Sequence, residues 1–389
     1  MRGSIILILI TILSFDGLSQ INDTLPKQDS LVDKTVLNRL TEFGENVLDL
    51  VTLEKPRYTF AVFPVVGYSK RTQIEFGVMP VFRFKSHNSK TKFHRPTIVS
   101  PKILLSTSGM FEVDIDATGV SSKNIWYSIK NQYLYLPDLF YGINNTKNDT
   151  ALFGYDVYSF LLKGDILKGL STKTFIGIST DFEYTQNRQV EEFFFDDAVP
   201  GYKGGWTNGL GPAFIYDSRD NITYPSKGEF LKSSLVFYKS IFGSKYDFNV
   251  FDLDIRKYIS LSSNDKDIIA CQYYMNLIDG DAPFYKLSKL GGKSAVRGIA
   301  HSQKYISQNM WMFQTEYRRE LWWRIGVVGF AGVGNNFEDY ESAFKNNHVF
   351  GGVGGRFRAL PDEKLNLRID LGLTNKGDKG LYFTIKEAF

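Results

Sequence analysis

The sequence predicts an all-β protein: a 16-stranded antiparallel transmembrane β-barrel with a short N-terminal amphipathic helix. After Arg57, apolar and polar side chains alternate over segments of ten or more residues, longer than the strands of most soluble sandwiches. No apolar run beyond the first twenty residues is long enough for a membrane helix. Aromatic residues make up 15% of the chain, as expected if a barrel carries two interfacial aromatic girdles.

The first residues are typical of a secretion signal. Arg2 supplies a positive charge, residues 5–13 form an apolar stretch, and Ser19 is a small residue suited to cleavage before Gln20. We therefore predict a signal peptide over residues 1–19. A membrane anchor is the alternative, but this stretch is too short for a hydrocarbon layer of ~30 Å, which takes roughly 20 helical residues.

Residues 20–56 carry apolar side chains at steps of three and four, which would place them on one face of a helix ended by Pro56. A helix of this kind needs a partner for its apolar face. We predict a periplasmic or plug segment that either fills the lumen of the barrel or docks on a partner. A weakly ordered leader is the alternative. The stripe consists of Val32, Val36, Leu40, Phe43, Val47 and Leu50.

Residues 57–389 form the predicted barrel. Odd positions are apolar and even positions polar in 111–118, so one face suits lipid and the other water. Long loops at 137–154, 186–205, 279–308 and 335–346 would share one side of the membrane, with short turns on the other. The predicted strands lie near 58–69, 73–84, 96–107, 110–119, 125–136, 155–167, 171–185, 206–218, 229–241, 247–261, 267–278, 309–320, 324–335, 347–359, 364–374 and 380–389.

Two prolines interrupt the pattern of the first two predicted strands. Pro64 and Pro80 each lack the backbone N–H that a sheet ladder needs. One interpretation is that the first strand pairs weakly with the last. The other is that each proline lies near a strand end or a bulge.

Composition and motifs argue against several classes of function. The net charge of +4 is small beside 46 basic and 42 acidic residues, which does not favour nucleic acid as a partner. Cys271 is the single cysteine, so no disulfide framework is expected. The zinc-protease and serine-hydrolase motifs are missing, and the glycines of residues 351–355 lack the final glycine of a dinucleotide fingerprint. We therefore predict no cofactor, no metal and no enzymatic activity.

The loop before the twelfth predicted strand contains Val296-Arg297-Gly298. This triplet resembles the Val-Arg-Gly-Tyr/Phe signature of the BamA/TamA superfamily, also called the bacterial surface antigen family, in which the loop folds back into the lumen. The chain departs from the family at Ile299, where an aromatic is usual, and at Gly332, where many relatives carry Asp. Further passages match in the same order at 216–228, 314–318 and 354–389, so the resemblance covers roughly residues 205–389.

The resemblance implies a bacterial outer-membrane barrel that takes part in inserting or translocating proteins. In the family, the seam between the first and last strands is thought to open so that a client strand can pair with it. The expected partners are outer-membrane lipid, client outer-membrane proteins and a separate periplasmic or lipoprotein subunit, because the 37 residues of 20–56 cannot hold a POTRA domain. A passive pore or a structural barrel subunit of an envelope complex is the alternative.

The same resemblance makes Arg297 the principal candidate residue and Phe389 a candidate C-terminal assembly signal. A guanidinium can bind two carboxylates at once. Alternation along their strands places Glu316 and Asp370 on the lumenal face. We therefore predict that Arg297 pairs with these two carboxylates and fixes the loop inside the barrel. In the alternative, Arg297 lies on a mobile surface loop.

Overall fold

The computed structural model describes residues 41, 42, 45, 51–69, 71–84, 95–145, 150–189, 199–360 and 364–389. The chain divides into two units, Met1–Asn46 and Val47–Phe389, and nearly all described residues belong to the second. The predicted signal peptide and the six stripe residues of the predicted helix lie outside the described residues, so both remain predictions. Within the described ranges, no helix has the length and apolar character needed to cross a membrane.

The second unit is built from antiparallel strands, as predicted. Seventeen strands form one sheet, and two short strands form a separate hairpin. The strands are β1 (Thr52–Glu54), β2 (Tyr58–Ser69), β3 (Gln73–Phe84), β4 (Thr97–Ser106), β5 (Phe111–Val120), β6 (Ile125–Phe140), β7 (Phe153–Gly169), β8 (Thr174–Gln189), β9 (Gly204–Asp217), β10 (Gly228–Tyr238), β11 (Phe248–Ser260), β12 (Asp267–Gly280), β13 (Ser288–Lys289), β14 (Ile306–Ser307), β15 (Asn309–Trp322), β16 (Ile325–Phe337), β17 (His348–Leu360), β18 (Leu365–Thr374) and β19 (Lys379–Ile385).

The predicted number of strands is wrong, because the described residues contain nineteen strands and not sixteen. Sixteen of them have at least seven residues and follow the predicted order. The three additional strands have only two or three residues. β1 lies ahead of the predicted barrel, and β13 pairs with β14 inside the loop after β12. A segment this short has no measurable alternation, so its pairing cannot be inferred from sequence periodicity.

Each long strand pairs with the next long strand along the chain. β9 and β10 join the two halves of the sheet, and β12 pairs with β15 across the 281–308 loop. Buried charged residues alternate with exposed apolar ones along the strands. In β18, for example, Asp370 is fully buried while Ile369 and Leu371 are 39% and 48% exposed. The outer face therefore suits lipid, and the inner face carries the charges.

Proline interrupts one ladder of the sheet. β2 and β3 remain in register through Pro64 and Pro80 without a shift, so neither proline marks a bulge or a strand end there. The register of β3 with β4 instead breaks between Val78 and Phe82, where Pro80 lies opposite Pro101. Neither Pro80 nor Pro101 has an N–H to donate, which accounts for the missing pairs between β3 and β4.

The sheet is not closed by backbone pairing at the junction of β2 and β19, which we call the seam. β3 occupies one edge of β2 over all twelve residues, and β19 lies beside the other edge. Within the described residues, every other junction of neighbouring long strands has a register, but none joins β2 to β19. The predicted closed barrel is therefore wrong at this junction. The physical reasons are that β1 pairs with Thr59–Ala61 of β2 and that the chain turns inward after Ile385.

Side-chain packing spans the seam where the ladder is missing. Ala61 and Phe63 of β2 are almost fully buried and belong to one apolar cluster with Leu360 and Leu365 from the β17–β18 connection. Ile385, the last residue of β19, packs against the same cluster. The two ends of the sheet are thus held together here by apolar contacts and not by strand hydrogen bonds.

Candidate functional site

The 281–308 loop is folded inside the ring of strands. Phe284, near its start, is fully buried, with its ring centroid 5.4 Å from that of Phe140 on β6 and 5.9 Å from that of Tyr155 on β7. Further along, Val296 is fully buried in a second apolar cluster that includes Phe330 of β16. The loop therefore packs against both sides of the barrel wall.

Arg297 lies fully buried between the two carboxylates that the sequence singled out. Its Nη1 is 2.5 Å from Glu316 Oε1 and donates to Asp370 Oδ2 at 2.9 Å. Its Nη2 donates to Gln314 Oε1 at 3.1 Å, and its guanidinium carbon lies 3.6 Å from the ring centroid of Phe330. The Glu316 contact is an ion pair without hydrogen-bond geometry. Both carboxylates are as fully buried as the arginine.

Each carboxylate also binds a second arginine from the wall. Arg318 Nε donates to Glu316 Oε2 at 2.7 Å, and Arg356 Nη1 donates to Asp370 Oδ1 at 2.6 Å. Arg368 Nη1 adds a hydrogen bond of 3.1 Å to Asp370 Oδ2. The site is thus a network of alternating charges, in which no carboxylate depends on the loop arginine alone. Paired in this way, buried charges avoid the large cost of isolated ones.

The wall also holds the backbone of the loop tip. Arg368 Nη2 donates to the carbonyl oxygen of Lys293 at 2.9 Å, and Gln314 Nε2 donates to that of Ser294 at 3.1 Å. The sequence reasoning missed these two wall residues, as it missed Arg318 and Arg356. The sequence did contain a signal for these four residues. Gln314 and Arg318 lie two positions from Glu316, and Arg368 lies two positions from Asp370, so each shares the lumenal face with its neighbour. Arg356 lies on the lumenal face of the adjacent β17.

Three glycines let the loop backbone touch the wall. A Cβ on Gly372 of β18 would lie 2.4 Å from the carbonyl oxygen of Arg297, and one on Gly380 of β19 would lie 2.6 Å from it. Gly372 and Gly380 are register partners, so together they form a notch in the wall. A Cβ on Gly298 would lie 2.5 Å from Thr374 Cγ2. Glycine is needed at these three positions so that the loop backbone can contact the wall.

Both departures from the family signature have a packing reason. Ile299 is fully buried, and its Cγ2 would lie 2.5 Å from a Cβ at Gly291, so the aliphatic side chain fills that space. At Gly332, a Cβ would lie 2.5 Å from Cζ of Phe350. The Phe350 ring and the carbonyl oxygen of Phe313 therefore leave no room for a side chain at Gly332.

The C-terminal tail, residues 386–389, joins the same network. Phe389 is only 5% exposed; its carbonyl oxygen accepts a hydrogen bond of 3.1 Å from Arg318 Nη2, and its ring centroid is 5.3 Å from the Arg318 guanidinium carbon. Glu387 accepts hydrogen bonds from Arg356 Nε at 2.7 Å and from Asn366 Nδ2 at 2.8 Å. Phe389 thus lies in the lumen, and its role as an assembly signal remains a prediction.

The site fixes the positions of the loop and the tail, and we call it the brace. Its cations are guanidinium groups, each in contact with a carboxylate, and further hydrogen bonds reach the loop and tail backbone and the side chain of Gln314. In the part of the chain that the structure describes, no group of three or more His, Cys, Asp or Glu side chains could hold a metal ion.

A consecutively paired antiparallel sheet with an apolar outer face, a charged lumen and an inserted loop defines the class: an outer-membrane β-barrel protein. The sequence matches the Omp85 superfamily domain over residues 85–386, which is more than half of the chain. This chain belongs to the Omp85 superfamily. The predicted family is therefore confirmed, and the match begins well before residue 205, where the short motifs begin.

The likeness to one solved structure supports the fold. BamA from Haemophilus ducreyi lacking POTRA domains 1–3 matches with a TM-score of 0.57 and 12% identity, over 86% of this chain and 70% of that chain. At that identity the likeness concerns the fold alone. OccK11 (OpdR) from Pseudomonas aeruginosa matches with a TM-score of 0.32 and 8% identity, over 85% of this chain and 91% of that chain, which is too weak to support an argument. No curated protein matches the sequence.

Proposed function

We propose that this barrel takes part in inserting or translocating proteins at the bacterial outer membrane, and that clients engage it at the seam. The observation that supports this role is the absence, within the described residues, of any register between β2 and β19. An unpaired strand edge presents N–H and C=O groups to which an incoming strand can add. The proposed work is backbone hydrogen bonding, with no side-chain catalysis.

In this proposal the loop braces the wall beside the seam. Arg297 binds Asp370 of β18, and its carbonyl lies against Gly380 of β19, so polar and backbone contacts hold the last two strands to the loop, whereas apolar packing joins them to β2. A wall supported in this way would keep its shape while the seam opens. The apolar cluster around Ala61 and Leu365 would have to separate during opening, and it contains no ion pair that would oppose this.

The proposal includes three kinds of partner. Outer-membrane lipid would cover the exposed apolar side chains of the outer face. Client outer-membrane proteins would meet the free part of β2, and a separate periplasmic or lipoprotein subunit would deliver them. We assign delivery to another subunit because the described residues form the sheet, its turns and loops and a few short helical segments.

Locking the seam tests the proposal. In a Cys271→Ser background, Val62→Cys on β2 would be combined with Leu381→Cys or Phe383→Cys on β19 and joined with short bifunctional reagents. The locked barrel, in proteoliposomes supplied with its delivery factors, should fail to fold an added outer-membrane protein. The matched control is Phe214→Cys with Ser233→Cys, register partners of β9 and β10, whose cross-link should leave client folding unchanged.

Normal client folding by the seam-locked barrel would overturn the proposal. If that barrel also carried a steady ion conductance, the passive-pore alternative would be favoured instead.

A further inference from the structure

We propose that a groove in the outer wall of the barrel, between the ends of β12 and β15, binds one acyl chain of an outer-membrane lipid whose headgroup carries an ammonium group. In the order of strands, the groove lies away from the seam. The lipid site therefore depends on the position of the barrel in the membrane and not on client insertion at the seam.

The groove exists because the ladder between β12 and β15 stops early. Its register ends at Asn276 and Met310, although β12 continues beyond this pair beside β11. Past that point a side chain replaces the backbone bonds: Ile278 N donates to Asn309 Oδ1 at 3.0 Å, and Asn309 Nδ2 donates to the carbonyl oxygen of Glu338 at 3.1 Å. The two strands are bridged there by one side chain, which leaves a groove between them.

The floor of the groove is apolar. Leu235, Phe251 and Leu277 line it and are register partners in one row across β10, β11 and β12. They face outward, because their neighbours Val236 and Ile278 are buried in the apolar cluster at the start of the inserted loop. The groove has a volume of about 240 Å³. This is below the roughly 300 to 1,000 Å³ of pockets for drug-sized ligands, so it suits a single acyl chain.

The connection between β16 and β17 lies over the outer wall beside the groove. Trp311 of β15 and Asn335 of β16 are register partners on the outer face, and both side chains donate to the carbonyl oxygen of Ala343, at 2.7 and 2.9 Å. The connection presents Tyr340 and Phe344, which are 77% and 75% exposed, and Tyr340 lines the groove. Exposed aromatics at the end of a barrel are typical of the membrane interface, so lipid headgroups would lie at this level.

The headgroup end of the groove is acidic. Asp279 and Glu338 line it and are exposed, whereas none of the described residues that line the groove is basic. Asn249 Nδ2 donates to Asp279 Oδ2 at 3.4 Å, and Asn144 Nδ2 donates to Glu338 Oε2 at 2.7 Å. These amides position both carboxylates without neutralising them. Carboxylates attract an ammonium group and repel an unpaired phosphate, which favours an amine-bearing headgroup.

The apolar and acidic parts of the groove follow the order of a lipid molecule. Asp279 lies two residues beyond Leu277 on the same face of β12, about 7 Å closer to the long loops. Long loops lie on the outer side of the membrane in barrels of this class. An acyl chain on the Leu277 floor would thus place its headgroup near Asp279, in the outer leaflet.

Native mass spectrometry of the purified full chain tests the site. The protein would be released from detergent micelles that contain equal amounts of phosphatidylethanolamine and phosphatidylglycerol with identical acyl chains. It should retain one phosphatidylethanolamine in preference to phosphatidylglycerol. Leu277→Trp, which fills the floor, should lose the bound lipid. The matched control is Leu162→Trp on the outer face of β7, which should retain it, and the unboiled gel band verifies that both variants are folded.

A second variant tests the headgroup. Asp279→Asn combined with Glu338→Gln removes both charges at exposed positions, so the variant should retain a lipid without preference between the two headgroups. Lipid retained by Leu277→Trp as by the control would overturn the site, and so would the absence of retained lipid in the unsubstituted protein. Equal retention of both lipids by the unsubstituted protein would overturn the ammonium headgroup.

A dimer that Leu277→Trp abolishes would also overturn the lipid site, because a second copy of the chain would then be the occupant. The measurement uses purified protein without a client. Its failure would therefore leave insertion at the seam standing, and failure of the seam-lock experiment would leave the lipid site standing.

Discussion

Arg297 is the residue on which the position of the lumenal loop most depends, because it combines two ion pairs, a hydrogen bond to Gln314 and contact with an aromatic face. Its removal would leave the buried carboxylates Glu316 and Asp370 each with fewer positive partners. Arg318 and Arg356 would still neutralise them, so the wall itself should survive the loss.

Arg297→Ala should therefore destabilise the folded barrel by more than the loss of an exposed pair but by less than the ~3 to 5 kcal/mol typical of a broken buried pair, because Arg318 and Arg356 still compensate the two carboxylates. The temperature at which the unboiled, folded gel band disappears should fall, and the loop should become sensitive to protease. The control is Arg319→Ala, whose side chain is 57% exposed and 3.7 Å from Asp267, a pair worth ~0 to 1 kcal/mol. Equal band stability in the two variants would contradict the assignment.

Much of this site could be predicted at the scale of residues, and part could not. The period of two placed Glu316 and Asp370 in the lumen without any knowledge of distance. The same rule applies to Arg318 and Arg368, which the sequence reasoning missed, and alternation does not say which charges meet. The inward position of Phe389 was beyond prediction, because it depends on one left-handed residue, Lys386, and on contacts with distant strands.

At the scale of elements, the long strands could be predicted because ten or more alternating residues establish a face. The short strands could not, since β1, β13 and β14 are defined by what they pair with. The break between β3 and β4 could be predicted only in part: the sequence reasoning singled out Pro80 but not Pro101, and their opposition depends on register. Periodicity thus predicts faces, and register must come from the structure.

The destabilisation caused by a charged substitution on the outer face should depend on its depth in the membrane. Leu162, near the middle of β7, is 39% exposed on that face, and Leu170 lies just beyond the end of the same strand. Leu162→Arg should destabilise the barrel in lipid vesicles by ~2 to 4 kcal/mol, whereas Leu170→Arg, near the interface, should cost ~0 to 1 kcal/mol. Chemical denaturation in vesicles measures both. Equal costs would mean that β7 does not cross the hydrocarbon layer.

At the scale of the whole molecule, the 281–308 loop determines whether the barrel conducts. It packs on β6 and β7 through Phe284 and on the opposite wall through Arg297, and so it spans the lumen. Replacing residues 284–305 with a short Gly-Ser linker should raise single-channel conductance in planar bilayers.

Shortening residues 339–346 provides the control. Tyr340 and Phe344 in that loop are 77% and 75% exposed, so its removal should leave the conductance unchanged. If deletion of the inserted loop left the conductance at its original value, another part of the chain would have to block the lumen.

The unpaired seam has a consequence for how the molecule is made. Every register in the sheet joins strands that follow one another along the chain, the longest connection being the loop between β12 and β15. The ladder can therefore grow hairpin by hairpin, each step closing a short stretch of chain at little entropic cost. Bringing β2 and β19 together is the one step of high contact order, and it requires no strand hydrogen bonds. A nascent sheet could form nearly all of its backbone hydrogen bonds before β2 meets β19. Apolar contacts at the seam would then complete the assembly.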